Sequence, residues 1–270
     1  MRWWKLVTLL VLASAASQAH PEIEAGLTRL NAALAADPRN PDLLLERGEL
    51  YARHEDWLHA EANYLAAAEI TPRHAGIARA RGSLALAQNR PADALNHLNE
   101  AKALDPADSF VRILRARALR KLGRIDEAGN EYDRVLDRLR SPSPDLFLER
   151  AAFLPPTEAL TVLETALRRL GPVPALELRA LAVEETLGRV DAALARLDRL
   201  SAGAERKETW LRRRGDLLLR AGREKEARAA YAAALAALAA LPDWLRDSPE
   251  LLNLTKELAT LSRSTPSSPP

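Results

Sequence analysis

The hydrophobic positions along this chain fall into a pattern that repeats. Alanine stands just inside a helix start, after a short turn, at Ala60, Ala94, Ala128, Ala193 and Ala227, in steps of 34, 34, 65 and 34 residues. Ala159 divides the long step, and Gly26 lies 34 residues before Ala60. Four residues beyond these anchors come Leu30, Tyr64, Leu98, Tyr132, Leu163, Leu197 and Tyr231. Seven beyond come Ala33, Ala67, Ala101, Val135, Ala166, Leu200 and Ala234. Offsets of four and seven share one helix face. A period of 34 built this way is that of a helix-turn-helix solenoid, whose hairpins bury their apolar faces by stacking on one another.

The remainder of each period agrees. Asn89, Gly123, Gly188 and Gly222 each precede an anchor by five residues, where a left-handed residue closes the first helix of a pair. Pro38, Pro72 and Pro106 stand where the second helix must end. Gly48, Gly82, Ala116, Ala151 and Gly215 let the two helices of a repeat approach, while Tyr64, Leu98, Tyr132 and Tyr231 are expected to fill the wedge between neighbouring pairs. The fourth repeat departs: its first helix, from Pro144, follows Ser141-Pro142-Ser143-Pro144, and its turn at Leu154-Pro155-Pro156-Thr157 is short, so that helix must stop a turn early. A break there would separate an N-terminal from a C-terminal lobe. In the fifth repeat Leu181 replaces the small residue, which predicts looser packing.

The expected fold is all-α: an α-α superhelix of about six tandem 34-residue repeats over residues 41–242. A half-repeat at 20–40 precedes it, and a capping helix at 243–262 and a disordered tail at 263–270 follow. Ser248-Pro249-Glu250 supplies an N-cap, a first-turn proline and an early acid for the cap. Leu251, Leu254, Leu258 and Leu261 form its apolar stripe.

Leu44, Gly48, Tyr51, Ala60, Tyr64, Ala67 and Pro72 stand at the spacings of a known pattern, and Gly82, Ala94, Leu98, Ala101 and Pro106 repeat it. Leu211, Gly215, Ala227, Tyr231 and Ala234 keep it near the end. The chain resembles the tetratricopeptide repeat family over about residues 22–242. That resemblance implies a scaffold that binds proteins, with the first helices of the repeats lining a concave groove.

Composition narrows the chemistry. The 270 residues contain no cysteine, which excludes disulfides and thiolate chemistry. Met1 to Lys5 is basic, Leu6 to Ala13 apolar and Ser14 to Ala19 small and polar, as in a secretory signal peptide at 1–19 cut before His20. An uncleaved anchor or a first helix of the fold is the other reading of this stretch. Loss of Arg2 and Lys5 leaves 37 basic against 37 acidic residues, so the mature chain is neutral and poorly suited to nucleic acid. No stretch is long enough to span a bilayer. The five histidines form no metal or catalytic motif, and no phosphate-binding glycine loop or nucleophile elbow occurs. A non-enzyme without cofactor or metal is expected, exported and most naturally periplasmic.

By the family's pattern, the groove candidates are Glu49 and Arg53 in the first repeat and Arg79 in the second. The third adds Phe110, Ile113, Arg117, Arg120 and Lys121, and the sixth adds Arg212, Asp216 and Arg220. Arg117, Arg120 and Lys121 share one helix side, and with Arg79 they make the N-terminal half of the groove basic. An acidic partner segment with apolar anchors for Phe110 and Ile113 would suit it. Equally, the cations could pair with acids of neighbouring repeats, and Phe110 and Ile113 could pack on the adjacent helix. A scaffold binding a segment in its groove is the first expectation. A structural subunit of an envelope assembly for secretion, polysaccharide export or cytochrome maturation, contacting partners through its convex face or edges, is the second. Oligomeric state is not legible.

Overall fold

The computed structural model describes residues 21–263. The signal segment, His20 and the tail from residue 264 lie outside the described residues. All regular structure among the described residues is α-helical, and the chain divides into two compact units at Arg138 and Leu139, just before the proline-rich segment.

The first unit begins with α1 (Pro21–Ala36) and continues with three helix pairs. These are α2 (Pro41–Arg53) with α3 (Trp57–Ile70), α4 (Ala75–Ala87) with α5 (Pro91–Leu104), and α6 (Ser109–Lys121) with α7 (Ile125–Arg138). The second unit pairs α8 (Pro144–Ala151) with α9 (Pro156–Leu170), α10 (Pro174–Thr186) with α11 (Val190–Ala202), and α12 (Glu208–Arg220) with α13 (Glu224–Ala239). The short α14 (Asp243–Arg246) and α15 (Pro249–Arg263) complete it. Arg263, expected in the tail, is still helical. Helix α8 has 8 residues where the other first helices have 13, as its short turn requires.

All six anchor alanines are buried, and so are all seven large residues four positions on. The small slots explain how closely each pair closes. A Cβ on Gly48 would lie 2.5 Å from the Tyr64 ring, and one on Gly82 would lie 2.5 Å from Leu98 Cγ. Gly215 meets Tyr231 in the same way. The large residue therefore seats on the small residue of its own pair as well as in the wedge toward the next, where Leu98 shares a core cluster with Val111 and Leu114. Tyr64 also reaches Ala80 and Leu84 of the next helix. Leu181 is completely buried, and that pair is filled by Leu181 and Leu197, one leucine from each helix.

Asn89, Gly123, Gly188 and Gly222 are left-handed, with φ of 56°, 75°, 66° and 72°. The residue after each donates its N–H back across the turn, Arg90 to Ala85 O at 2.7 Å being one case. Glu55, five before Ala60, adopts the same conformation with φ 60°, although its side chain gives no hint of it. At the C-terminus Leu251 and Leu258 are buried with Tyr231 and Leu238, and Leu254 and Leu261 pack on the same cluster.

Each unit carries one buried charge three residues past an anchor. Glu131 is 5% exposed and accepts from Lys102 Nζ at 2.8 Å, from Arg112 at 3.1 Å, and from Arg115. In the second unit Arg196 holds the equivalent place with the opposite sign, bonded to Glu164, Glu177 and Glu184. Burial alone raises the pKa of Glu131, but the hydrogen bonds and charges of Lys102, Arg115 and Arg112 outweigh it and hold the carboxyl below the usual range.

Two predictions follow from this packing. Ala94→Leu should destabilise by about 1–3 kcal/mol through overpacking, while Glu226→Gln on the exposed face leaves the melting temperature near wild type. Similar melting temperatures for the two variants would contradict the packing described. Because the pKa of Glu131 is lower folded than unfolded, its contribution is full above the ordinary carboxylate value and is lost as pH falls through the depressed one. Glu131→Gln should cost about 3 kcal/mol at neutral pH and flatten the acid limb of a urea-unfolding pH series.

Candidate functional site

Three first helices of the first unit, α2, α4 and α6, lie in sequence against one another, and their shared face opens into a cavity of about 510 Å3. Asp56 builds one wall by capping α3: its carboxylate accepts from His59 N at 3.2 Å, and Trp57 becomes the first helical residue, over the cavity. Tyr64 follows two turns later. On α4, Arg79, Ala80, Ser83, Leu84 and Ala87 line the cavity at helical spacing, and α2 contributes Glu49, Ala52 and Arg53.

Asp108 fixes the third wall. One carboxylate oxygen caps α6, accepting from Phe110 N at 2.8 Å and Val111 N at 3.2 Å, and the other accepts from Arg79 Nη1 at 3.0 Å. The Arg79 guanidinium then lies over the Phe110 ring, 6.0 Å from its centroid. Phe110 itself is 50% exposed. One acidic side chain thus starts the helix, neutralises Arg79 and aims the ring that the cavity presents.

The Tyr64 phenol is pushed up by burial first and then by the charge of Glu49, with Arg53 opposing. It stays protonated and can donate a hydrogen bond. Tyr231 offers a comparison within the chain: its hydroxyl donates to Asp216 Oδ1 at 2.9 Å, and its pKa is raised to about 12 by burial and then by that bond. Glu49 occupies the repeat position of Asp216. Among the described residues Tyr64 makes no hydrogen bond to it, and both side chains line the cavity.

Of the residues singled out from sequence, Glu49, Arg53, Arg79 and Phe110 line this cavity. Ile113, Arg117, Arg120 and Lys121 do not. Ile113 and Arg117 are half-buried, Arg120 is exposed, and Lys121 Nζ donates to Asn89 Oδ1 at 2.8 Å. In the second unit Arg212 donates to Glu257 at 2.6 Å, Asp216 receives Tyr231, and Arg220 donates to Glu185 at 3.1 Å. The sequence reading missed Trp57 and treated Tyr64 as scaffold. Its one available signal was Trp57 itself, a bulky aromatic three before an anchor where other repeats carry Pro91, Ile125, Pro156, Val190 or Glu224. Among the described residues no three His, Asp or Glu side chains are grouped to hold a metal ion, and no helix is long and apolar enough to cross a membrane.

Stacked two-helix hairpins with a groove-forming face define an all-α helical solenoid. Tetratricopeptide repeat family models match residues 19–75 and 85–146, and a tetratricopeptide repeat-like domain matches 166–246. Together these take in most of the chain, which belongs to the tetratricopeptide repeat proteins. Among solved structures, PilW, described as a widely conserved type IV pilus biogenesis factor, is similar at 23% identity and TM-score 0.58, over 67% of this chain and 86% of that one. A tetratricopeptide repeat protein from Parabacteroides merdae is similar at 19% identity and TM-score 0.51, over 84% and 90%. PilF of Pseudomonas aeruginosa is similar at 19% identity and TM-score 0.50, over 80% and 97%. These identities establish the shared fold. No curated protein matches the sequence.

Asp108→Ala should lower stability by about 0.5–2 kcal/mol through loss of the α6 cap, measured by urea unfolding. Asp108→Asn keeps a capping acceptor and should recover most of that loss, while still leaving Arg79 without its charge partner.

Proposed function

We propose that this protein is a non-catalytic scaffold that holds a segment of a partner protein against α2, α4 and α6, and that it works after export to the cell envelope, in the periplasm. The observation that carries the reading is the cavity. Its walls are apolar, from Trp57, Ala80, Leu84, Ala87 and the half-exposed Phe110, and only a few polar groups interrupt them. Such a surface accepts a bulky apolar side chain as anchor, and Tyr64, Ser83 and Glu49 are placed to hydrogen-bond the backbone beside it. Arg53 forms no ion pair among the described residues, so an acid next to the anchor would find a cation.

The envelope assignment draws on the signal-like N-terminus and on the likeness to PilW and PilF, which supports a role in assembly rather than catalysis. A second reading, a structural subunit of a secretion, polysaccharide-export or cytochrome-maturation assembly, is favoured by Leu58 and Trp244, which are more than three-quarters exposed and lie outside the cavity.

A photo-crosslinking residue in place of Phe110 should give a discrete adduct in the native cell, and the same residue in place of Leu58 should not. Adducts from Leu58 alone would replace the first reading with the second. N-terminal sequencing of the envelope fraction should begin at His20. A cytoplasmic protein beginning at Met1 would end the localisation.

A further inference from the structure

Arginine recurs one residue before the small slot of the first helices, and its partners follow the repeat. Arg47 donates to Asn31 and Asn63, sixteen residues to either side, at 2.9 and 2.8 Å. Arg115 reaches Asn99 at 3.0 Å and also Glu131, again sixteen to either side. Arg214 reaches Asp198, sixteen before it, at 2.5 Å. Arg150, in the shortened α8, lies over Phe153 instead. Arg81 on α4 breaks the series. The residues sixteen before and after it are Leu65 and His97, and among the described residues Arg81 makes no hydrogen bond or ion pair. Leu65 is 45% exposed.

Where the acceptor is missing, the structure is open. A cleft of about 260 Å3 is bounded by Glu61 of α3, Arg81 of α4, and Arg90, Asp93, Asn96 and His97 at the start of α5. It uses another side of α4 than the first cavity, sharing only Leu84 with it. Arg90 is occupied, 3.7 Å from Glu61 and 3.4 Å from Asp93. Arg81 and His97 are left facing the space that Arg115 and Glu131 close one repeat later.

We propose that this cleft is a docking point for an aspartate or glutamate side chain of a partner protein, which takes beside Arg81 the place that the Glu131 carboxylate takes beside Arg115. A carboxylate brings one charge and the planar shape that a guanidinium matches. A phosphate dianion would press its second charge against Glu61 and Asp93. A lone pair this near to water holds a free carboxylate weakly. The acid therefore arrives on a chain.

His97 makes the site respond to pH. Burial first, and then the charge of Arg81, hold its ring below the usual histidine value; Arg90 acts the same way, while Glu100 and Asp93 oppose. An arriving carboxylate favours the protonated ring, so binding takes up a proton and tightens as pH falls.

The test uses the full chain and a hexaglutamate peptide, followed by NMR of the His97 ring. The peptide should shift the ring saturably, more tightly at pH 6 than at pH 8, and Arg81→Gln should weaken it about tenfold. His97→Glu installs the carboxylate of the next repeat, pairs with Arg81 and should abolish binding, read for this variant by isothermal titration calorimetry because the ring is gone, with circular dichroism reporting that the helices persist. If His97→Glu does not fold, Arg81→Gln decides. Wild-type affinity in Arg81→Gln, an unmoved His97 ring, or acetate binding as tightly as the peptide would each overturn the proposal.

Discussion

Two helices of a hairpin approach only as far as their facing side chains allow, and in this chain that distance is set by a residue with almost no side chain. Gly48, Gly82 and Gly215 leave no room for a Cβ, because Tyr64, Leu98 and Tyr231 already occupy the space. The anchor alanines are buried with them. Once each pair is held at that separation, the left-handed turn residues, Glu55 among them, fix where the second helix begins. In the first unit the first helices then align along one face. The open cavity is a consequence of that alignment, since α2, α4 and α6 each contribute the side that their own partner helix leaves uncovered.

The polar groups obey the same register. Asn63, His97, Glu131 and Arg196 all stand three residues past an anchor, at a place the packing withdraws from water. Burying a charge there is costly unless it is fully paired. The two units solve this with opposite signs, three cations around Glu131 and three carboxylates around Arg196. A helix pair carrying Glu131 would meet like charges in the setting of Arg196, so the buried charges also select which neighbours can stack. Where a repeat carries His97, the pairing is incomplete and a polar cleft remains.

Equivalent positions therefore end in different states. Tyr231 and Asp216 close on each other in the last pair, while Tyr64 and Glu49 at the same positions border open space. The difference of one methylene in the acid, and of neighbours such as Trp57 and Phe110, changes whether the hydroxyl is satisfied within the protein. A polar group left in that condition beside apolar walls keeps its hydrogen-bonding capacity at the cavity surface.

The sequence by itself determined the helices, their pairing and most of their ends. The anchors, large residues and glycines act between segments at fixed spacing, so the pattern of sizes along the chain already carries the contact. It also determined the early stop of α8, because a turn short of residues cannot carry a full helix. Glu55 escaped it, since a left-handed glutamate is imposed by the turn rather than favoured by the residue. Of the groove candidates, Arg53, Glu49, Arg79 and Phe110 came together, whereas Lys121, Arg212 and Arg220 were drawn to partners elsewhere. Only the tertiary structure decided that. A long charged side chain reaches partners sixteen, twenty-nine or more residues away. Which of them it meets depends on the surfaces that stacking brings face to face.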